Sequence, residues 1–202
     1  MGDMKFEAIF WDADGVIVRR PRLFSEQLVL DYGIKMEKLL PFFTGVFKQC
    51  SIGKADLQEE LAKVIGDWGW KGTVEELMNY WFTKGTELDS DVATFITSLR
   101  QQGIRCVMTT NNEKYRGAHL AKTLGNGQLL DDVFYSGALG VSKKDPEFFM
   151  HVYQTLNAQK PIEKSAVLCI DNDEGVIEMA KSLGFSAHLY TNLENVKTFL
   201  LK

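Results

Sequence analysis

Long apolar runs, cysteine motifs and an excess of positive charge are all missing from this chain of 202 residues. No apolar run approaches the roughly 20 residues that a membrane-spanning helix needs, so no membrane role is expected. The three cysteines, Cys50, Cys106 and Cys169, include no C-x-x-C pair, which removes the usual zinc and redox signatures and fits reduced core residues. Histidine is equally scarce: His119, His151 and His188 stand far apart, without H-E-x-x-H spacing. Lysine and arginine total 23 against 27 acidic residues, a formal charge of -4, so no global field draws in nucleic acid. Met1 to Glu7 is polar, and the apolar run after it is short and holds Asp12. That pattern is unlike a secretory leader, and a cytoplasmic location is the expectation. Internal repeats and low-complexity segments are absent as well.

What is present is an ordinary globular composition, 45% hydrophobic and 25% charged, in a chain long enough to bury a real core. Phe6 to Trp11 reads as a buried strand running into Asp12-Ala13-Asp14-Gly15. Residues i and i+2 of an extended chain share a face, so Asp12 and Asp14 can point to one site; a plain Asp-Gly turn is the rival reading. From Ser25 to about Glu87 only helical signals occur, after the breaker Arg19-Arg20-Pro21-Arg22. Asp56 can cap a helix to about Ile65, and Thr73 with Glu76 forms a capping box for a helix to about Thr83. The stretch from Gly66 to Gly72 reads as a loop. Gly53-Lys54 lacks the spacing of a phosphate loop.

From Leu88 the pattern alternates. Helices are expected from Asp89 to about Gln102, Glu113 to Leu124, Asp145-Pro146 onward, Asp173 to about Leu183, and Leu193 to Leu200. Strands are expected at Ile104 to Thr110, Val133 to Ser136, Ala166 to Ile170 and Ser186 to Tyr190, with a loop from Gly137 to Lys144. Alternation of this kind predicts an α/β fold, a Rossmann-like parallel sheet with helices on both faces. Residues 1–18 and 88–202 would form that core, and residues 19–87 a small all-helical cap inserted after the first strand.

Ligands of open parallel sheets bind outside the carboxyl ends of the strands. Those ends supply Asp12 and Asp14; Thr109, Thr110, Asn111 and Asn112; Lys143 and Lys144; and Asp171, Asn172 and Asp173. Carboxylates suit a hard cation such as magnesium, while Thr110, Asn111 and Lys143 suit the oxygens of a phosphate. Singly each has a bland role as a strand end, a solvated charge or a helix cap.

Jointly they resemble the haloacid dehalogenase superfamily. Asp12-Ala13-Asp14-Gly15-Val16 is similar to its D-x-D-G-[TV] signature, and Met108-Thr109-Thr110-Asn111 to its second motif. Gly140-Val141-Ser142-Lys143-Lys144-Asp145-Pro146 resembles the third, and Cys169-Ile170-Asp171-Asn172-Asp173 the fourth. The resemblance implies a phosphatase in which Asp12 is the nucleophile and Asp14 the acid and base, with Thr110 and Lys143 steadying the transferring group. It also implies a magnesium site drawn from Asp12, Asp14, Asp171 and Asn172. Lys144 stands where proline is usual, and Asn172 where a second acid is usual. The expected partner is a small phosphorylated metabolite handled by a monomer or homodimer, with Arg19, Arg20, Lys48 and Lys54 as candidate contacts. A phosphomutase or a non-catalytic relative is the alternative. Phe42, Phe43, Phe47, Trp68, Trp70 and Trp81 are expected to form the core of the cap.

Overall fold

The computed structural model describes residues 5–19 and 22–201. Five parallel strands, in the order β3-β2-β1-β4-β5, form the sheet. They are β1 (Ala8–Trp11), β2 (Arg105–Thr110), β3 (Asp132–Tyr135), β4 (Val167–Asp171) and β5 (Ser186–Leu189). The first strand is therefore central, with Trp11 in register with Met108 on one side and Ile170 on the other.

Alternation along the strands sorts the core into two layers. Ile9 and Trp11 of β1 face the same side as Met108 and Ile170, and are covered by α7 (Ser90–Gln101), α8 (Lys114–Leu124) and α12 (Leu193–Leu200). Ala8 and Phe10 face the other side with Val107 and Cys169, under α10 (Pro146–Gln159) and α11 (Glu174–Ser182). Burial on both faces explains why these strands read as continuous apolar runs. Cys50, Cys106 and Cys169 are all free and buried. Among the described residues no helix is long and apolar enough to cross a membrane.

Between β1 and α7 lie α1 (Phe24–Tyr32), α2 (Met36–Thr44), α3 (Phe47–Ser51), α4 (Leu57–Ala62), α5 (Ile65–Trp68) and α6 (Val74–Lys84). This helical insert packs around its own apolar cluster, which includes Leu28, Leu39, Phe42, Leu61, Leu77 and Trp81. The chain leaves and re-enters the sheet as a paired stem, with Arg19 N–H donating to Glu87 O at 2.8 Å and Asp89 N–H to Ile17 O at 2.9 Å.

Two loops expected from sequence contain a helical turn. Gly66 to Trp68 belong to α5, because Trp68 is drawn into the insert's core, and Gly69 at φ 86° then ends the turn. Ser136–Leu139 forms the short α9, ended by Gly140 at φ 76°. The helix expected from Asp56 to Ile65 stops at Ala62, and α5 follows separately. Asp145 starts α10 but does not cap it with its side chain; its carboxylate accepts from Ser142 N–H at 3.0 Å instead and closes the loop that carries Lys143.

Two contacts fasten the insert to the sheet edge. Asp56 caps α4 and also accepts from the Tyr115 hydroxyl at 2.9 Å and 3.0 Å, with Lys114 as an ion-pair partner. Ser136 Oγ donates to Ser51 O. Beside it, a Cβ on Gly53 would lie 2.5 Å from the Gly137 carbonyl oxygen, so this glycine serves close approach of two backbones.

Candidate active site

Asp12 follows the last residue of β1 and still belongs to the ladder, its N–H donating to Ile170 O at 2.9 Å. Its side chain is buried, and so are Lys143 and Asp171. The Lys143 ammonium donates to Asp12 Oδ1, to Asp171 Oδ2 at 2.6 Å and to Thr109 O at 3.2 Å. All three of its donors are used by groups from three adjacent strand ends. Burial raises the Asp12 carboxyl from 3.8 to about 6, opposed by Lys143 and reinforced by Asp171. Burial also pulls the Lys143 ammonium down, but the two carboxylates outweigh it and leave its pKa raised. Burial sets the first direction and the two carboxylates around one ammonium set the second.

The loop holding Lys143 is itself held. Asn111 Oδ1 accepts from Lys143 N–H at 2.9 Å, so Asn111 orders that loop from the end of β2. Thr110 is buried, and its Oγ1 accepts from Asn112 Nδ2 at 2.6 Å, which leaves the hydroxyl proton free to be donated.

Asp14 does not join this cluster. Arg116 of α8 binds its carboxylate through both nitrogens, Nη1 to Oδ2 and Nη2 to Oδ1, each at 2.7 Å. Arg116 is buried; Nη1 also donates to Asn112 Oδ1, and Nη2 to Gly85 O at 2.7 Å. Sequence reasoning brought Asp12 and Asp14 to one cation, whereas the structure supplies a separate cation to each. Arg116 was not among the expected site residues. A signal existed: Lys114 and Arg116 both stand in the first turn of a helix, where the macrodipole disfavours cations. Each is there because a carboxylate waits for it, Asp56 for Lys114 and Asp14 for Arg116. Glu113, buried at the cap of the same helix, accepts from the N–H groups of Tyr115 and Arg116.

The expected metal donors separate in the same way. Asp14's carboxylate is bound to Arg116, and Asn172 is exposed with its Nδ2 donating to Asp14 O at 3.1 Å. A flipped amide would set two oxygens against each other, so the donor assignment follows from the contact. Gly15, at φ 82°, permits this approach, since a Cβ there would lie 2.7 Å from Asn172 Nδ2. Both side chains thus meet protein partners here, Asp14 through Arg116 and Asn172 through the Asp14 carbonyl. Asp173 caps α11 through Gly175 and Val176 N–H and pairs with Lys144 at 2.8 Å. Among the described residues no group of three or more His, Cys, Asp or Glu forms a metal cage. Magnesium needs none, since it takes one or two carboxylates and keeps several waters. Asp12 and Asp171, brought together around Lys143, are two carboxylates of the kind such an ion takes.

A cavity of about 360 Å³ opens beside Asp14, between the insert and the sheet edge, and Asn111, Asn112 and Arg116 line its core side. Arg19 lines it too, but Lys48 and Lys54 do not; Arg20 lies outside the described residues. Phe42 and Trp68 are buried in the insert's core as expected, while Phe43, Phe47 and Trp81 also face the cavity.

The fold has known counterparts. The HAD family enzyme BT-2542 from Bacteroides thetaiotaomicron, in complex with magnesium and inorganic phosphate, aligns with a TM-score of 0.71 at 16% identity, over 91% of this chain and 93% of its own. L-2-haloacid dehalogenase from Xanthobacter autotrophicus, with chloropropionic acid covalently bound, aligns with a TM-score of 0.65 at 17% identity, over 97% of this chain and 82% of its own. No curated protein sequence matches the chain. The family model described as haloacid dehalogenase-like hydrolase matches residues 6–184, and this chain belongs to that family.

Proposed function

We propose that this hydrolase is a magnesium-dependent phosphatase that cleaves a small phosphorylated metabolite through an aspartyl-phosphate on Asp12. The observation that carries the reading is the buried Lys143 ammonium bridging Asp12 and Asp171. An anionic nucleophile facing a phosphate dianion needs positive charge beside it, and preorganised charge is usually the largest catalytic contribution. Magnesium, held by Asp12 and Asp171, would supply further charge that offsets the repulsion between the two anions.

In the first half-reaction an Asp12 oxygen attacks phosphorus. The new oxygen–phosphorus bond forms as the ester bond breaks, and Asp14 gives its proton to the departing oxygen. Asp14 then takes a proton from water, which attacks phosphorus, releases inorganic phosphate and restores Asp12. Arg116 holds the two Asp14 oxygens at 2.7 Å each and Asn112 Nδ2 reaches Oδ2 at 3.4 Å, which fixes the plane of the carboxylate that makes this exchange. The Thr110 hydroxyl donates to a non-bridging oxygen, and the Lys143 ammonium, held beside Asp12, adds positive charge next to the transferring group. Displacement of halide from carbon requires no proton donor, so a dehalogenase would have no task for Asp14, which lines the cavity where a leaving group would sit.

The purified protein is expected to release phosphate from p-nitrophenyl phosphate only with magnesium present, and to release no chloride from L-2-chloropropionate. Chloride release, or phosphate release that survives exhaustive chelation, would overturn the reading.

A further inference from the structure

The cavity beside Asp14 has a composition that its position does not require. Its insert side is apolar and aromatic, from Leu23, Phe24, Phe43, Phe47 and Trp81. Phe24 and Trp81 stack at 4.3 Å with parallel rings, which gives that wall a flat, rigid surface. Neutral polar groups on this side are few and partly occupied. Thr44 Oγ1 donates to Leu40 O at 2.7 Å, and Gln27 Nε2 donates to Asp31 Oδ2 at 2.7 Å, leaving Ser25 as the other hydroxyl.

Charge in the lining is one-sided. Arg19, Arg22, Lys84 and Arg116 face a single carboxylate, Asp14, which Arg116 already binds. Arg19 is engaged by Asp89 at 3.2 Å and Glu87 at 3.7 Å. Arg22 and Lys84 are exposed and make no direct ion pair among the described residues, though both lie in the longer-range field of Asp31. Two exposed cations thus line the apolar cavity with a single shared carboxylate, Asp31, near them.

We propose that the leaving group is an apolar, ring-sized body carrying a second negative charge, an aryl or arylalkyl phosphate with a carboxylate or equivalent anion, and not a sugar. This rests on the phosphatase reading, with the phosphoryl group at Asp12 and the rest of the substrate in the cavity past Asp14. A volume of about 360 Å³ accommodates one substituted ring, since a cavity of about 150 Å³ already holds benzene. A sugar would bury several hydroxyls against aromatic faces with few partners, and unpaired buried polar groups are costly. Arg22 and Lys84 would meet the second anion at the mouth, where partial exposure keeps each pair modest.

The test compares matched esters at saturating magnesium. 2-Phenylethyl phosphate is set against glucose 6-phosphate, both primary alkyl esters. 3-(4-Phosphonooxyphenyl)propanoate is set against its amide, whose phenol differs little as a leaving group. The expected result is kcat/KM at least about tenfold higher for the phenylethyl ester than for the sugar, and about fivefold higher for the acid than for the amide. In the double variant Arg22→Gln, Lys84→Gln the acid-to-amide ratio should fall to near one. Preference for the sugar ester, or an acid-to-amide ratio near one in the unaltered protein, overturns the inference and leaves the phosphatase reading standing. Failure to hydrolyse any of the four esters with magnesium overturns the phosphatase reading and this inference together.

Discussion

Asp12 and Asp14 are two residues apart at one strand end, yet the protein treats them differently. Asp12 sits on the sheet side of the site, in a dry cluster where it shares Lys143 with Asp171. Asp14 sits on the insert side, bound by Arg116 and bordering the cavity. The first carboxylate shares half a cation and the second owns a whole one. A nucleophile left under-compensated remains reactive and ready for a further cation. An acid–base group, by contrast, has to be aimed, and a planar guanidinium with two bonds aims it. Sequence spacing alone, which treats i and i+2 as equivalents, cannot express this division.

The largest effect should come from breaking the sheet side. Asp12→Asn is expected to lower turnover at least about a thousandfold while raising the melting temperature of the metal-free protein. The sign follows from the raised carboxyl. The folded state holds that proton more tightly than the unfolded chain, so its stabilising contribution is complete below the ordinary value of 3.8 and is lost as pH rises through about 6. At neutral pH the ionised Asp12 costs the fold on the order of 1–3 kcal/mol. Thermal unfolding from pH 5 to pH 8 without metal should show the unaltered protein falling relative to Asp12→Asn, and magnesium should narrow the gap.

Next in size is the insert side. Arg116→Met strands a half-buried carboxylate and should cost about 2–4 kcal/mol in denaturant unfolding. Its kinetic loss should be greater for an alkyl phosphate, which needs a proton at the leaving oxygen, than for p-nitrophenyl phosphate, which does not. Arg116→Lys should recover part of the stability and less of the alkyl-ester rate, because a point charge does not aim Asp14. Equal losses for both esters would reduce Arg116 to a structural residue.

A smaller effect sharpens the boundary between the two sides. Asn172 donates to the Asp14 carbonyl, and Asn172→Asp exchanges that bond for a carboxylate. Magnesium half-saturation should fall severalfold and the metal-free protein should lose about 1 kcal/mol; unchanged half-saturation would show that residue 172 does not sense the metal. The smallest effect belongs to Lys144, whose pair with Asp173 is well exposed. Lys144→Ala should change stability by less than about 1 kcal/mol and leave both sides of the comparison intact.

Most of the fold is legible in the sequence because apolar runs and caps agree. The box of Thr73 with Glu76 and the caps Asp56 and Asp89 all form as their spacing predicts. Short turns at Ile65–Trp68 and Ser136–Leu139 were hidden, since a single large side chain or a tertiary seam stabilises them in place of periodicity. The site was legible in part. Asp12, Asn111, Lys143 and Asp171 come together because each closes a strand or the loop after it, while Thr110, at the end of β2, bonds to Asn112. Arg116 escaped notice because a helical arginine resembles a solvated one until the helix start is taken into account. The bond from Asn172 to the Asp14 carbonyl was hidden because it joins two stretches that are far apart in sequence.

The central claim is that Asp12 carries the phosphoryl group. Rapid acid quench of the protein turning over p-nitrophenyl phosphate with magnesium, followed by intact mass and peptide mapping, tests it directly. The account predicts a mass gain of one phosphoryl group on the peptide holding Asp12, absent from Asp12→Asn. Steady turnover with no phosphorylated protein, or with the group on another residue, would contradict it.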